Sequence, residues 1–167
     1  KIKKPTLLLH ACCGPCSTSV LESLAEFFEI TIYYYNPNIS PLEEYNKRVE
    51  EIKNFLKKAK LEEAIHFIEG KYDNESFIEI SKGLENEKEG GARCIKCYYL
   101  RLEETAEYAK KHNFDYFTTT LSISPMKNAP KLNEIGVRVD KEYGIEYLVT
   151  KYKKRKILNI KQGVRIM

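Results

Sequence analysis

Long apolar runs are missing from this chain of 167 residues. No stretch approaches the length of a membrane span, and no signal peptide precedes the first predicted strand. We therefore expect a cytoplasmic protein with no membrane partner. The chain begins at Lys1 and not at Met, so we expect that its natural start was trimmed or left out.

Cysteine is scarce, and its odd count of five excludes complete pairing in internal disulfides. Nothing in the composition indicates secretion, so we interpret the cysteines as metal ligands or reactive thiols in a reducing compartment. The hydrophobic content of 43% is sufficient for one domain with a single core.

Acidic residues are absent from the last part of the chain. Residues 151–167 contain seven basic residues and no acid, whereas residues 1–150 carry a net charge of −3, which together give the formal charge of +4. We therefore divide the chain into a single α/β catalytic domain over 1–150 and a basic C-terminal tail over 151–167. This asymmetry suggests a polyanionic partner, although a solvated surface helix or a disordered end explains the charge equally well.

The hydrophobic pattern alternates between short β-type runs and amphipathic helical stretches. It predicts strands over 6–11, 30–35, 64–68, 116–121 and 145–149. It predicts helices over 15–28, 41–56, 74–82, 94–112 and 129–142. The second of these helices opens with a predicted capping box at Ser40–Glu43. Such alternation is typical of a three-layer α/β fold, in which a parallel sheet has helices on both faces.

Three segments follow directly after predicted strands, where an open parallel sheet binds its ligands. These segments are Cys12-Cys13, Asn36-Pro37-Asn38 and Ser122-Ile123-Ser124. Because the carboxyl ends of parallel strands lie at the same edge of a sheet, we expect all three segments to line one rim.

Four of the five cysteines form two pairs, Cys12-Cys13 and Cys94-x-x-Cys97. The second pair opens a predicted helix, and its three-residue spacing places both sulfurs on one face. By itself this motif fits zinc, an iron–sulfur cluster or a redox dithiol. Four thiols suit tetrahedral zinc or a [4Fe–4S] cluster. We favour the cluster, because Cys12-Cys13 is a poor zinc knuckle and lies at the functional rim.

Several other residues near these thiols have both a structural and a functional interpretation. Cys16 either faces the core or is a fifth thiol beside the metal site. His10, on a buried strand, is either a hydrogen-bonded core residue or a ligand, and Asp73 is either a helix cap or a group that faces the rim. Arg93 and Arg101 either form surface salt bridges, or stabilise cluster charge or bind phosphate.

Aromatic and polar residues at the rim are candidates for contacting substrate. Tyr35 is either a core residue or a platform on which a base stacks. The candidates for binding substrate or RNA lie at the rim or beside the C-x-x-C motif, and they are Tyr35, Asn36, Asn38, Arg93, Arg101, Ser122, Ser124 and Lys127.

Four motifs together resemble the epoxyqueuosine reductase QueH family, from about Thr6 to Val149. They are HACCGPC at 10–16, YNPNI at 35–39, GARCIKCYYLRL at 91–102 and TTLSISP at 119–125. The resemblance implies a nucleotide-hydrolase-like fold (HUP or Rossmann-like). It also implies reduction of epoxyqueuosine to queuosine at the wobble position of the tRNA anticodon loop, with electrons from an unidentified donor.

The resemblance further implies an iron–sulfur cluster, whose ligands by position are Cys12, Cys13, Cys94 and Cys97. The family is also associated with an additional iron ion, for which the candidates here are Cys16, His10 and Asp73. Related sequences commonly end in a cysteine-containing segment, whereas this chain has no cysteine after Val149. Either that segment is dispensable, or the electron path differs, or the end is altered.

Two other functions compete with the reductase. An ATP-dependent tRNA-modifying enzyme of the thiolase type needs a glycine-rich phosphate loop after the first strand. Here that position reads Ala11-Cys12-Cys13-Gly14, which argues against it. A zinc-stabilised RNA-binding module without enzymatic activity is the second alternative.

Overall fold

Apolar, β-branched and aromatic residues form a central sheet of five parallel strands in the order β3-β2-β1-β4-β5. The computed structural model describes residues 3–11, 18–88, 90–122, 129–153, 156–159 and 164–165. The strands of the central sheet are β1 (Thr6–His10), β2 (Glu29–Tyr34), β3 (His66–Glu69), β4 (Tyr116–Thr119) and β5 (Glu146–Tyr147). The parallel α/β architecture is confirmed.

Helices cover both faces of this sheet. They are α1 (Thr18–Phe27), α2 (Leu42–Lys58), α3 (Asn74–Ser81), α4 (Ala92–Lys111) and α5 (Ala129–Tyr143). Successive side chains of β1 point to opposite faces. Leu7 and Leu9 accordingly join a core with α1 and α2, whereas Leu8 joins a second core with α4 and α5. The three layers predicted from the sequence are therefore present.

The predicted capping box at Ser40–Glu43 is wrong. The helix begins at Leu42, and Pro41 occupies the N-cap position with no side-chain cap. Ser40 therefore lies one residue too early for its hydroxyl to cap the first turn. Glu43 and Glu44 still stabilise this helix end, because acidic residues complement the positive end of the helix dipole.

Several predicted boundaries shift by a few residues. The fourth strand ends at Thr119 and continues as a 3₁₀ turn, Thr120–Ser122, while the third strand begins at His66 and not at 64. The fifth strand contains only Glu146 and Tyr147. The predicted start of the first helix, at 15–17, lies outside the described residues.

The described part of the basic tail forms β-strands. From its charge alone, a surface helix or a disordered end was equally compatible with the sequence. β6 (Thr150–Lys153), β7 (Lys156–Asn159) and β8 (Val164–Arg165) form a separate antiparallel sheet in that order. In the part of the chain that the structure describes, no helix has the length and apolar character needed to cross a bilayer.

Gly136 allows α5 to pack directly against β5. A Cβ atom at this position would overlap the ring of Tyr147, which is fully buried. The same residue is fixed by hydrogen bonds, because the Tyr147 hydroxyl donates to Asn133 Oδ1 at 2.8 Å and its N–H donates to Asp140 Oδ2 at 2.8 Å. The contact therefore has little room to adjust.

We predict that Gly136→Ala destabilises the protein by about 1–3 kcal/mol, as expected for overpacking. In an open helix the same change stabilises by up to about 1 kcal/mol, so the sign of the effect is diagnostic. Urea unfolding of Gly136→Ala, Tyr147→Leu and the double variant measures the coupling. The cost of Gly136→Ala should disappear when it is combined with Tyr147→Leu, and an equal cost in both backgrounds contradicts the packing explanation.

Candidate metal and redox site

The C-x-x-C motif occupies the first turns of α4, at the carboxyl end of the central sheet. Gly91 is the N-cap residue, and the first turn contains no acidic side chain. The Gly90 N–H donates to Cys94 Sγ at 3.3 Å, and Cys97 is 3% exposed. Because a helix N-terminus carries partial positive charge, this end of α4 suits negatively charged groups.

Asn36 connects α4 to the end of β1. Its Nδ2 donates to the Ala11 carbonyl at 2.8 Å, and its Oδ1 accepts from Arg101 Nη1 at 3.3 Å. Arg101 follows Cys97 by four residues, so the two side chains share one face of the helix. Ala11 directly precedes Cys12 in the sequence. The helix face that carries Cys97 is therefore tied to the residue before the first cysteine pair.

Five of the predicted site residues lie outside the described residues: Cys12, Cys13, Cys16, Ser124 and Lys127. For Ser122 only the backbone is described, at the end of the 3₁₀ turn. Among the described residues, no group of three or more metal-binding side chains occurs. The meeting of the two cysteine pairs around one metal centre therefore stays a prediction.

His10 is fully buried and is bonded through both ring nitrogens. The Tyr35 carbonyl, 3.0 Å from Nε2, can only accept, so Nε2 carries the proton and Nδ1 accepts from the Thr119 hydroxyl at 2.9 Å. Burial, assisted by the charge of Arg101, lowers the pKa of His10 to about 3 against the weaker opposing effect of hydrogen bonds to Tyr35 and Asn36. In this arrangement His10 is a neutral core residue that joins three strand ends.

Asp73 is the N-cap residue of α3, and its carboxylate connects that helix to the end of β2. Asp73 Oδ2 accepts from the Tyr35 hydroxyl at 2.9 Å and from the Ser76 hydroxyl at 2.7 Å, with Lys71 Nζ at 3.9 Å. Burial raises the pKa of Asp73, but these hydrogen bonds and the Lys71 charge together bring it below its usual value. The side chain is therefore an anion that is partly accessible at the rim.

The remaining candidates differ in exposure. Tyr35 is 1% exposed, and burial together with its bond to Asp73 raises its pKa, so the ring is a core group and not an open platform. Arg101 is buried, which excludes an exposed surface salt bridge, while Arg93 Nη1 donates to the Glu85 carbonyl at 3.4 Å on the exposed side. Asn38 Oδ1 is buried without a hydrogen-bond partner among the described residues.

Thr119 is a site residue that the sequence candidates do not include, although it belongs to one of the quoted motifs. Its hydroxyl bonds His10 and also accepts from the Leu121 N–H at 3.2 Å. Thr119 is the direct strand neighbour of His10 in the register of β1 and β4. The sequence signal that could have identified Thr119 is a hydroxyl side chain near the end of one predicted strand and a histidine near the end of another.

We predict that His10 makes stability depend on pH. Its pKa falls from an ordinary value of 6.5 to about 3 on folding, so its contribution is full above pH 6.5 and is lost as the pH falls toward 3. Between pH 7 and pH 5 the free energy of unfolding should decrease by about 2 kcal/mol more in the wild type than in His10→Gln. Urea unfolding measures this difference.

The matched control is His112→Gln, because His112 is exposed at the end of α4. The decrease in the free energy of unfolding between pH 7 and pH 5 should change more in His10→Gln than in His112→Gln. A His10→Gln protein with the same pH dependence as the wild type contradicts the prediction.

Comparisons with known proteins show which proteins this chain is similar to. A family model described as "Epoxyqueuosine reductase QueH" matches residues 7–166. Proteins named epoxyqueuosine reductase QueH from Staphylococcus epidermidis, Streptococcus pyogenes and Haemophilus influenzae are 40%, 41% and 47% identical to this chain. The matches cover 92%, 90% and 82% of this chain, and 66%, 60% and 55% of those relatives.

The chain thus spans between about half and two thirds of the length of these relatives. Among solved structures, the crystal structure of the A40926 pseudoaglycone deacetylase Dbv21 is similar, with a TM-score of 0.47 and 10% identity over 92% of this chain and 66% of that chain. The matched region covers nearly all of the described strands and helices, including the end of β2 and the start of α4. The chain belongs to the epoxyqueuosine reductase QueH family.

Proposed function

We propose that this chain contains the catalytic domain of a reductase that converts epoxyqueuosine to queuosine in tRNA. Family membership supports the reaction class. The structural observation that carries the proposal is the connection from Arg101 through Asn36 to Ala11, which fastens the α4 thiols beside the chain segment that leads into Cys12. In the proposal, Cys12 and Cys13 follow directly from this segment and share one rim of the sheet with Cys94 and Cys97.

The described part of the rim fits an iron–sulfur cluster. Cys94 and Cys97 provide thiols one helix turn apart at the start of α4, whose first turn contains no acid although Glu87 Oε1 accepts from the Ala92 N–H at 3.4 Å. A buried guanidinium, that of Arg101, lies one turn after Cys97. These features favour a negatively charged ligand set, and thiolates are the ligands that iron–sulfur clusters take. In the proposal, Cys12 and Cys13 complete the four ligands of a [4Fe–4S] cluster.

An additional iron ion belongs to the same proposal, with Cys16, His10 and Asp73 as its candidate ligands. Asp73 fits this role better than His10, because Asp73 is an anion at the rim whereas both nitrogens of His10 are engaged inside the protein. Asp73 is held in its ionised form by a lowered pKa, so it is suited to bind a cation or accept a hydrogen bond and not to donate a proton.

Removal of an epoxide oxygen to leave an alkene consumes two electrons and two protons and releases water. When bound, the cluster supplies electrons one at a time, so two deliveries from an external donor are needed. The chain's own residues hold the thiols at the rim and fix the ends of the three central strands. In this arrangement His10 bonds the ends of β2 and β4, and Asn36 bonds α4 to the end of β1.

We predict that anaerobically prepared protein is brown and contains about four iron and four sulfide per chain, with more iron if the additional ion is bound. Cys94→Ser and Cys97→Ser should each lose most of the cluster, whereas Lys96→Gln, between the two thiols, should retain it. Iron and sulfide analysis with visible absorption measures the content. Colourless protein that contains zinc contradicts the reductase and favours the zinc-stabilised RNA-binding module.

Cys16→Ala tests the fifth thiol separately. The variant should keep the four-iron cluster and lose the additional iron together with reductase activity on tRNA that carries epoxyqueuosine. Full activity and unchanged iron content in Cys16→Ala remove Cys16 from the proposed site.

The proposed RNA partner also makes a prediction for the basic tail. Lys110 and Lys111 lie in the last turn of α4, about 24 Å along the helix from Cys94 at 1.5 Å per residue. Lys151 and Lys153 lie in β6 of the tail. We propose that tail lysines contact phosphates. Lys110 and Lys111 are a second candidate pair for such contacts, and because they lie at the end of α4 opposite to the thiols, we expect them to contribute less.

Neutralising Lys151 and Lys153 to Gln should weaken binding to the anticodon stem-loop. It should also reduce the slope of log K against log salt by about 1.4–1.8, since each of the two phosphate contacts contributes roughly 0.7–0.9. Neutralising Lys110 and Lys111 removes the same charge and should change the slope much less. Equal effects of the two pairs, measured by fluorescence anisotropy at several salt concentrations, contradict a specific role of the tail.

A further inference from the structure

Arg101 is a buried cation on the thiol-bearing face of α4, and we infer that it positions the α4 thiols against the end of β1 and sets the reduction potential of the cluster that they hold. This inference rests on the proposed function. Arg101 is 5% exposed, and its guanidinium carbon lies 5.5 Å from the centroid of the Tyr98 ring. Burying a charge is costly, so a protein retains one where the charge has a specific task.

The helix geometry places this charge close to a proposed ligand. Cys97 and Arg101 are separated by four residues within α4, which corresponds to about 5–6 Å between their Cβ atoms. Both side chains are buried, so solvent screens their interaction weakly. A thiolate-bound cluster is negatively charged and gains a further negative charge on reduction. A nearby buried cation therefore favours the reduced form.

The orientation of the Asn36 amide fixes the guanidinium in place. The Ala11 carbonyl can only accept a hydrogen bond and the guanidinium can only donate, so Nδ2 faces Ala11 and Oδ1 faces Arg101. Because Ala11 precedes Cys12, the same contact relates Arg101 to both cysteine-bearing segments. Outer groups that hold metal ligands in this way commonly tune the metal centre.

Arg93 provides a matched control for the charge. It lies on the same helix, directly before Cys94, and carries the same charge. Its guanidinium bonds the Glu85 carbonyl on the exposed side of the loop. Arg93 is partly exposed whereas Arg101 is buried, so solvent and salt screen the charge of Arg93 more strongly, and Arg93 should influence the cluster less than Arg101.

The experiment is a redox titration of the full chain, with the cluster assembled under anaerobic conditions and followed by visible absorption and electron paramagnetic resonance. At the midpoint potential of the wild type, Arg101→Gln should show at least a tenfold lower ratio of reduced to oxidised cluster, which corresponds to about 59 mV for one electron. Arg101→Lys keeps the charge and should remain within threefold of the wild type, as should Arg93→Gln.

A ratio for Arg101→Gln within threefold of the wild type overturns the inference, and so does an Arg101→Lys protein that shifts as far as Arg101→Gln. If Arg101→Gln takes up no cluster, Asn36→Asp decides, because its carboxylate keeps the Oδ1 contact and neutralises the guanidinium, although it gives up the Nδ2 bond to Ala11. Asn36→Asp should shift in the same direction, and an unshifted ratio overturns the inference. A wild-type protein that binds no cluster rejects the proposed function instead, so the two failures are distinguishable.

Discussion

Two hydrogen bonds of the Asn36 side chain link three parts of the chain that are far apart in sequence. They join the end of β2 to the Ala11 carbonyl after β1 and to Arg101 in α4. Asn36 is fully buried, so neither bond exchanges with solvent in the folded protein. A buried polar group that loses its partner costs about 1–3 kcal/mol, so this contact defines one arrangement of the rim and disfavours others.

The two faces of the sheet differ in the buried polar contacts that they contain. The face that packs on α1 and α2 is filled mainly by aliphatic and aromatic side chains. The α4 side adds buried polar contacts at the strand ends, in which His10 bonds the Thr119 hydroxyl and Arg101 donates to Asn36 Oδ1. Polar atoms in the interior are stable when hydrogen-bonded, and here they concentrate near the rim that carries the thiols.

The layered fold could be predicted from the sequence because its signals are local. Short apolar runs such as Leu7–Leu9 and the helical periodicity of Leu42–Leu56 determine which segments form strands and helices. Boundaries were less predictable. Pro41 suits either the first helical position or the position before it, and the choice depends on how α2 packs. The two-residue length of β5 likewise depends on its pairing with β4.

The candidate site was predictable in its residue types and not in its contacts. The strand ends identified Asn36 as a rim residue, and the C-x-x-C motif was predicted to join the rim through its pairing with Cys12-Cys13. In the structure Asn36 bonds the Ala11 carbonyl and the motif lies at the start of α4. The burial of Arg101 and Tyr35 could not be read from the sequence, because both are common surface or interface residues. Their burial results from packing between α4 and β2, which joins segments about 65 residues apart.

The short outer strands of the sheet limit how this protein associates with itself. β3 is four residues long with exposed ends at His66 and Glu69, and β5, at the opposite edge, has two residues. A second chain that added itself to either border would find few free backbone groups and, beside β3, a charged side chain. Extension of the central sheet by a second copy of the chain is therefore disfavoured at both of its edges.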